Sequence, residues 1–499
     1  MRQTMRPQFA LIPVLLLSAC ATPRMVRYDE PVPTLPSNWS EPLPAAAGVA
    51  DVTDLKTWWR GFKDPLLDRL VDQALVNNLD LKVAAQRLIV ARAERDALSG
   101  TLKPRIGISA NSLQQQTSRR VEWPRGIGFT DTQSVQLEAS WEIDLFGRLR
   151  QSVEAADAEL GVAEEDRRSV LLSLLAEIAT NYVELRSAQE RLDIAERNVD
   201  RLKATFDTLT RLQRAGLASG SSVAQARAEW QSALAQLPLW RGRIARHSHA
   251  IGVLTGGFPG DLGQEFERTP HILPSAPALP VSVPSQVLRD RPDVRGAERR
   301  IAAATARQNV AVADLFPRFR IPLTLGTAAS GFGSLFSAAS TIWSVAATGS
   351  QTLFDDGQRK ARIRAAEAIT ATQRLQYEQT VRVAFRDVED ALTGIETEAT
   401  RREALGAATA DSQTALDRAL RERRAGTLDY LDLLIAQRAL FAAQDSLAQS
   451  KAAQAVNLIA LAKALGGGWQ TVFEQERSDT VPEAQLPIAS PSQRSPPVR

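Results

Sequence analysis

The sequence predicts a mainly α-helical protein that carries a small set of membrane-type β-strands. Three observations predict it: one structural unit is written twice, its helices are too long for a compact domain, and its strands alternate apolar and polar residues over outer-membrane lengths. The repeat runs with an offset of roughly 210 residues. Asp80-Leu81-Lys82 through Pro104-Arg105-Ile106 matches Asp293-Val294-Arg295 through Pro317-Arg318-Phe319. Asp144-Leu145-Phe146-Gly147-Arg148, followed by Ala155-Ala156, recurs as Leu353-Phe354-Asp355-Asp356-Gly357-Gln358, followed by Ala365-Ala366. Arg214-Ala215-Gly216 corresponds to Arg424-Ala425-Gly426, and Leu254-Thr255-Gly256-Gly257 to Leu465-Gly466-Gly467-Gly468. Each copy reads as helix, strand, loop, strand, very long helix, tight turn, helix.

The long helix of the first copy follows a heptad. Leu185, Leu192, Val199 and Phe206 hold one seam position, and Ala188, Ala195, Leu202 and Leu209 the other. The alanines permit close approach and packing on more than one neighbour. From about Leu149 to Arg214 the helix would be on the order of 100 Å long. Gly216 and Gly426 stop the long helices as C-cap glycines. Ser219-Gly220-Ser221-Ser222 and Thr427-Leu428-Asp429 then offer N-caps to the returning helices, placing two hairpin turns at one far end.

The strands alternate. In Gln133 to Asp144, Val135, Leu137, Ala139, Trp141 and Ile143 share one face, and Gln136, Glu138, Ser140, Glu142 and Asp144 the other. Ile106 to about Gln116 is its weaker partner. In the second copy Phe319, Ile321, Leu323 and Leu325 alternate with Arg320, Pro322, Thr324 and Gly326, and Trp343, Val345 and Ala347 continue after a Gly-rich loop. With loops bearing Trp123, Phe129, Phe332 and Phe336, these fit outer-membrane barrel strands. An antiparallel sheet covering a soluble core is the other reading. Four strands per chain cannot close a barrel, since the smallest have about eight, and an open edge in lipid costs several kcal/mol per unpaired backbone group. In lipid the chain must therefore oligomerise, with about eight strands in a dimer or about twelve, and room for water, in a trimer.

The 60 basic and 57 acidic residues nearly cancel and are interspersed along helical faces, so the charge balance does not argue for nucleic acid. No apolar run of about 18 residues occurs after the N-terminal stretch, which excludes a helical span. That stretch has Arg2 and Arg6 before an apolar core of about eleven residues and ends Leu17-Ser18-Ala19-Cys20, a secretory signal closing on the only cysteine of the 499 residues. The pattern resembles a bacterial lipobox, which implies cleavage before Cys20 and its lipidation; Ala21, in place of Asp, implies the outer membrane. No catalytic group or cofactor is expected. His247-Ser248-His249 is explained by adjacent polar helix positions and lacks the ligands of a metal site, and Gly466 to Gly468 end a helix without forming a phosphate loop.

Three further motifs carry a family resemblance over about residues 20 to 470. They are Trp58-Trp59-Arg60-Gly61-Phe62-Lys63-Asp64-Pro65-Leu66-Leu67 with Leu70-Val71-Asp72-Gln73-Ala74-Leu75, then Trp141 to Arg150, then Ala464-Leu465-Gly466-Gly467-Gly468-Trp469. With them the chain is similar to the TolC-like outer-membrane factors, in the NodT-type lipoprotein branch that serves resistance-nodulation-division efflux pumps. The resemblance implies a homotrimer: a twelve-stranded outer-membrane β-barrel, four strands from each chain, continued by a long α-helical coiled-coil barrel with an equatorial belt. The expected division is a signal peptide (1–19), lipid anchor and Pro-rich equatorial segment (20–60), first repeat (61–260), connection (261–285), second repeat (286–470) and disordered tail (471–499). Pro31 to Pro44 would lie along the belt or act as a flexible tether.

The resemblance further implies an exit channel that accepts cargo from an inner-membrane transporter through a periplasmic adaptor. The alternative is a pore-free periplasmic coiled-coil scaffold. In this family the periplasmic end is pinched just after the second hairpin turn, which here reads Gly426-Thr427-Leu428-Asp429-Tyr430-Leu431-Asp432. Asp432 matches an acidic gate position. The position three residues on, often Asp, is Ile435, which shifts weight to Asp429; Tyr430 completes the candidate gate and Leu431 follows it. Both aspartates would also suit the positive N-terminus of the returning helix without any gate. Gly216, Ser219, Gly220, Gly426 and Thr427 are the expected adaptor-contact turns.

Overall fold

The computed structural model describes residues 24–29, 31, 36, 38–40, 55–118, 120, 128–268, 287, 289–425 and 427–470. The signal segment, Cys20, Trp123, most of the 261–285 connection, Gly426 and the tail lie outside them. In chain order the elements are α1 (Pro65–Asn77), α2 (Leu79–Gly100), β1 (Arg105–Gln116), β2 (Phe129–Ile143), α3 (Arg148–Arg214), α4 (Gly220–Leu234), α5 (Leu237–Leu254), α6 (Gly263–Arg268), α7 (Pro292–Ala313), β3 (Arg318–Ala329), β4 (Thr341–Val345), β5 (Thr348–Ser350), α8 (Gln358–Arg424) and α9 (Tyr430–Ala464). The helices α3 and α8 each run 67 residues, about 100 Å at 1.5 Å per residue. No helix of the described residues is long and apolar enough to cross a membrane.

Two compact units cut across the sequence repeat. One comprises Met1–Asn38, Asn78–Val170 and Pro284–Arg386; the other Trp39–Asn77, Leu171–Val283 and Asp387–Arg499. Each long helix contributes to both.

The first unit holds one antiparallel sheet in the order β1-β2-β3-β4, with β5 also on β3. Its register brings the alternating residues into rows. Ile108 lies opposite Leu137, Leu137 opposite Leu325, and Leu325 opposite Trp343; Ile106, Ala139, Leu323 and Val345 form a second row. Ile108 is 76% exposed in the single chain and Trp343 74%. A sheet covering a soluble core would bury such rows, whereas here they are exposed, as lipid-facing residues are in a single chain. The other face is polar, with Ser109 Oγ donating to Glu138 Oε1 at 2.7 Å. The expected fourth strand is split: β4 and β5 continue one register along β3, interrupted at Ala346 and Ala347.

In the same unit, Val294, Ala297 and Ile301 of α7 bury themselves against Tyr377, Val381 and Ala384 of α8. Three ion pairs run along α3 and α7: Glu159 with Arg307, Glu165 with Arg295, and Asp166 with Arg300. Burial holds Glu165 above the usual carboxylate range, against the opposing pull of Arg295 and Arg168. Where β2 passes into α3, Asp144 accepts from the Leu149 and Arg150 amides, Gly147 takes φ +79°, and Phe146 stacks on Phe316 at 4.9 Å.

In the second unit the segment Trp58 to Leu67 is packed against the long helix α3 and the glycines after α9. Trp58, Trp59 and Phe62 are buried, and Gly468 (φ +109°) sits where a Cβ would lie 2.8 Å from Leu175 Cδ1 and 3.1 Å from Trp58 Nε1. Asp64 explains why that motif couples an acid to a proline. Its Oδ1 accepts from Leu66 N at the start of α1, and its Oδ2 accepts from the buried Tyr182 hydroxyl at 2.6 Å. Arg186 donates to the same hydroxyl and to Gln189, and Gln189 donates to the Phe266 carbonyl. Burial, then the Asp64 hydrogen bond, pushes the Tyr182 phenol well up. The heptad seam is packed: Ala188, Ala195 and Leu192 of α3 meet Trp240 and Ile244 of α5 and Phe441 of α9. Arg191 closes the same place with two 2.7 Å bonds to Asp445 and its guanidinium 4.1 Å from the Trp240 ring centroid.

Candidate functional site

The candidate gate and contact residues lie in the two hairpin turns of the second unit. The first turn forms as its glycine predicts. Gly216 takes φ +75°, Gly216 N donates to Gln213 O and Leu217 N to Leu212 O, the paired bonds of a Schellman stop. Ser219 then caps α4, its Oγ accepting from Ser222 N at 3.1 Å, with Gly220 as the first helical residue. Leu217 is left 76% exposed at the tip.

At the second turn, Thr427 N donates to Glu422 O at 3.0 Å, which is the bond Leu217 makes in the first turn. The Thr427 hydroxyl donates to the same carbonyl. Asp429 is the N-cap of α9 with ψ 155°, and its Oδ1 accepts from Tyr430 N at 2.6 Å. Its position satisfies the capping expectation directly. Asp432, in the first turn of α9, is exposed.

Tyr430 and Asp432 point apart, since residues two apart on a helix differ by about 200°. Tyr430 is half-buried between two apolar clusters, one with Leu202, Leu209 and Leu434, the other with Leu416, Leu433 and Leu440. The Arg423 guanidinium lies 3.6 Å from its ring centroid and donates to Leu428 O at 2.6 Å. The structure thus groups Asp432 with Leu431 and Ile435 on one exposed face of α9, and sets Tyr430 beneath them as a packed pin.

Sequence reasoning missed what holds this end of α9. Gln437 Nε2 donates to Thr205 Oγ1 of α3 at 3.2 Å, Arg438 pairs with Glu229 of α4, and Phe206 stacks on Trp230 at 5.4 Å. These partners belong to different repeats or different helices, so no local spacing announces them. Among the described residues no cluster of His, Cys, Asp and Glu could hold a metal ion.

Comparison with known proteins agrees with this architecture. The profile of the family described as "Outer membrane efflux protein" matches residues 70–257 and 283–467, one segment in each repeat. The solvent efflux pump outer membrane protein SrpC of Pseudomonas putida is 32% identical over 473 residues, covering 93% of this chain and 98% of that protein. The cation efflux system protein CusC of Escherichia coli is 30% identical over 448 residues, covering 89% and 95%. The solved outer-membrane channel OprN superimposes with a TM-score of 0.79 at 34% identity, covering 89% of this chain and 99% of that one. The exposed apolar rows, the repeated long helices and these matches have one reading: the chain belongs to the outer membrane efflux protein family.

Proposed function

We propose that this outer membrane efflux protein is the exit duct of a tripartite pump, assembled as a homotrimer and passively conducting small molecules out of the cell. A periplasmic adaptor meets its hairpin turns and an inner-membrane resistance-nodulation-division transporter supplies the cargo and the energy. The observation that carries this reading is the pair of exposed apolar rows crossing every main strand of the sheet, backed by a polar face. A pore-free scaffold leaves those rows without a role. SrpC is named for solvents and CusC for cations. We therefore assign cargo choice to the pump and none to the duct.

At the periplasmic end, Asp432 is the acidic gate residue, repeated three times around the axis and framed by Leu431 and Ile435; such a ring favours cations. Asp429 acts mainly as the helix cap. Gly216, Ser219, Gly220, Gly426 and Thr427 form the adaptor-contact turns, with the exposed Leu217 at one tip. Cys20 carries the lipid. The span from Cys20 to Met25 reaches at most about 18 Å, and Met25 lies where a Cβ on Gly147 would meet its Cε at 2.9 Å, beside the end of β2. Val26 is fixed next to it, both its backbone groups bonded to Asn309. A lipid on Cys20 would be tethered within that reach of the sheet, where it would add little to a barrel's own attachment.

Reconstitution into planar bilayers tests the function. The expected outcome is discrete ion conductance together with a gel band that shifts on heating; a monomeric, non-conducting protein overturns the duct. Cys20→Ala should remain in the outer-membrane fraction as a trimer, and a fully soluble variant would remove the barrel.

A further inference from the structure

The two long helices start at one level of the sheet. Phe319 of β3 lies opposite Ile143, the last residue of β2, and opposite Gly349 near the end of β5. The chain then enters α3 at Arg148 and α8 at Gln358. The apolar rows stop at that level, and exposed cations follow them. We infer that Arg24, Arg27, Arg150, Lys360 and Arg364 form a belt that binds the phosphates of anionic phospholipids in the periplasmic leaflet. The inference rests on the outer-membrane reading and adds a ligand to it.

These helix starts carry the wrong sign for folding alone. A helix N-terminus is positive and favours acidic side chains. Accordingly α1, α2, α7 and α9 hold Asp68, Asp80, Asp293 and Asp432 in their first turns. The first turns of α3 and α8 hold no acid; they hold Arg148 and Arg150, and Arg359 and Lys360. Part of that charge is answered within the chain, since Arg148 pairs with Glu142 at 2.6 Å and Arg359 with Asp355 at 2.7 Å. The rest is not. Arg150 reaches Asp144 only at 3.4 Å, and its side chain stays 65% exposed. Lys360 and Arg364 are like charges four residues apart, which repel along one helix face, and neither makes an ion pair among the described residues. Two helices that break the dipole rule together, where the lipid-facing rows end, point to an anion outside the chain.

The N-terminal segment marks the lipid side. A Cβ on Gly147 would lie 2.9 Å from Met25 Cε and 3.7 Å from the Arg150 guanidinium. That sets Arg24 and Arg27, one residue before Met25 and two after it, beside Arg150. Both are exposed and make no ion pair among the described residues. The segment leads back to Cys20, whose lipid requires the membrane side of the wall and not the duct. Met25 to Tyr28 share a hollow with Gln151 and Glu154, so this face of α3 is the outer one. Counting from the left-handed Gly147 and Gly357, Lys360 corresponds to Arg150 and Arg364 to Glu154, which puts the second pair of cations on the equivalent face of α8. Leu353 and Phe354, exposed between the sheet and α8, offer apolar contact at the same boundary. Apolar residues followed at once by unpaired cations suit an acyl chain followed by a phosphate.

Lipid retention by the full-length lipoprotein tests this. Purified in neutral detergent and titrated with phosphatidylglycerol or phosphatidylcholine, the wild-type trimer should hold the anionic lipid more tightly in native mass spectrometry. The preference should fade as ammonium acetate is raised. Lys360→Gln with Arg364→Gln should weaken retention of phosphatidylglycerol about fivefold for each charge removed. Arg24→Gln with Arg27→Gln should do the same and is an independent pair should the first disturb folding. Arg421→Gln with Arg424→Gln, at the other end of α8, should leave retention intact. Equal retention of the two lipids by wild type, or equal loss from substitutions at the two ends of α8, overturns the belt. So does retention of lipid A in place of phosphatidylglycerol, which assigns the cations to the outer leaflet, or full competition by glycerol phosphate, which assigns them to a soluble anion. A conducting trimer without lipid preference removes the belt alone; a chain that forms no trimer and conducts nothing removes the outer-membrane reading and the belt with it.

Discussion

In the first hairpin turn Ser219, Gly220, Ser222 and Gln225 occupy the places that Asp429, Tyr430, Asp432 and Ile435 hold in the second, counting from the shared Leu217 and Thr427 bonds. Both turns share one stop bond, Leu217 N to Leu212 O and Thr427 N to Glu422 O, and both start the returning helix from an extended residue, Ser219 and Asp429. Only the second carries a half-buried aromatic at the head of the returning helix and a charge with two aliphatic residues on its free face. The return path differs as well: α4 and α5 break between Leu234 and Leu237, ahead of Pro238, while α9 runs 35 residues unbroken. A duplicated unit that keeps its backbone and changes its chemistry at one end marks where the copies took separate work. The first returning helix opens with small neutral residues; the second opens with a packed aromatic and a carboxylate.

The largest break in that comparison comes from the pin. Tyr430→Ala removes a half-buried ring shared by two clusters and leaves Arg423 without its aromatic partner. It should cost about 2–3 kcal/mol of local stability. Amide exchange across the end of α8 and the start of α9 should rise sharply, with little change around the first turn. Gly220→Ala, at the matching position, meets only the Gln213 side chain at 3.3 Å and should be nearly silent. Equal effects at the two turns would show that they are mechanically equivalent.

Next in size is Asp432→Ala. If three copies face the axis, single channels should lose cation preference, and block by divalent or trivalent ions from the periplasmic side should weaken several-fold. Ser222→Ala, its counterpart, should change neither. Unchanged block in Asp432→Ala would shift the constriction to Leu431 and Ile435. Smaller again are the caps: Asp429→Ala and Ser219→Ala should each cost about 1 kcal/mol. An Asp429→Ala channel with altered selectivity would show that this carboxylate reaches the pore as well as the helix end.

Much of this was legible from local signals. The glycine stop at Gly216, the heptad from Leu185 to Leu209 and the alternation of Val135 to Ile143 each follow from periodicity or backbone conformation within one element. So did Asp429 as a cap. What stayed hidden depends on partners far apart in sequence. Gln437 meets Thr205 across 232 positions and Arg438 meets Glu229 across 209, and neither pairing follows from spacing along its own helix. Tyr430 is an example: the sequence sets it beside the aspartates, while the helical turn sends its side chain to the face opposite Asp432, against Arg423. The interruption of the fourth strand was also unread, because Ala346 and Ala347 suit either a strand or a break.

The smallest difference between the copies is one of pH. His247 on α5 is half-buried, its Nδ1 3.1 Å from Asn181 Oδ1, and burial lowers its pKa below the ordinary 6.5 despite the opposing Glu184. The equivalent place on α9 is Asn457, which packs where a Cβ on Gly394 would lie 2.6 Å from its amide and does not titrate. A histidine whose folded pKa is depressed contributes stability that is present above its unfolded pKa. That stability is lost as pH falls through the unfolded value toward the folded one, because the unfolded chain takes up the proton first. Acidifying from about pH 8 to about pH 5 should therefore loosen α5 against α3, while the matching stretch of α9 stays unchanged. Amide exchange at the two pH values, corrected for the intrinsic rate, reads this directly. His247→Asn, which copies the second repeat, should abolish the pH-dependent difference while keeping a side-chain amide available to Asn181. If the difference persists in that variant, the acid sensitivity of α5 originates in another group.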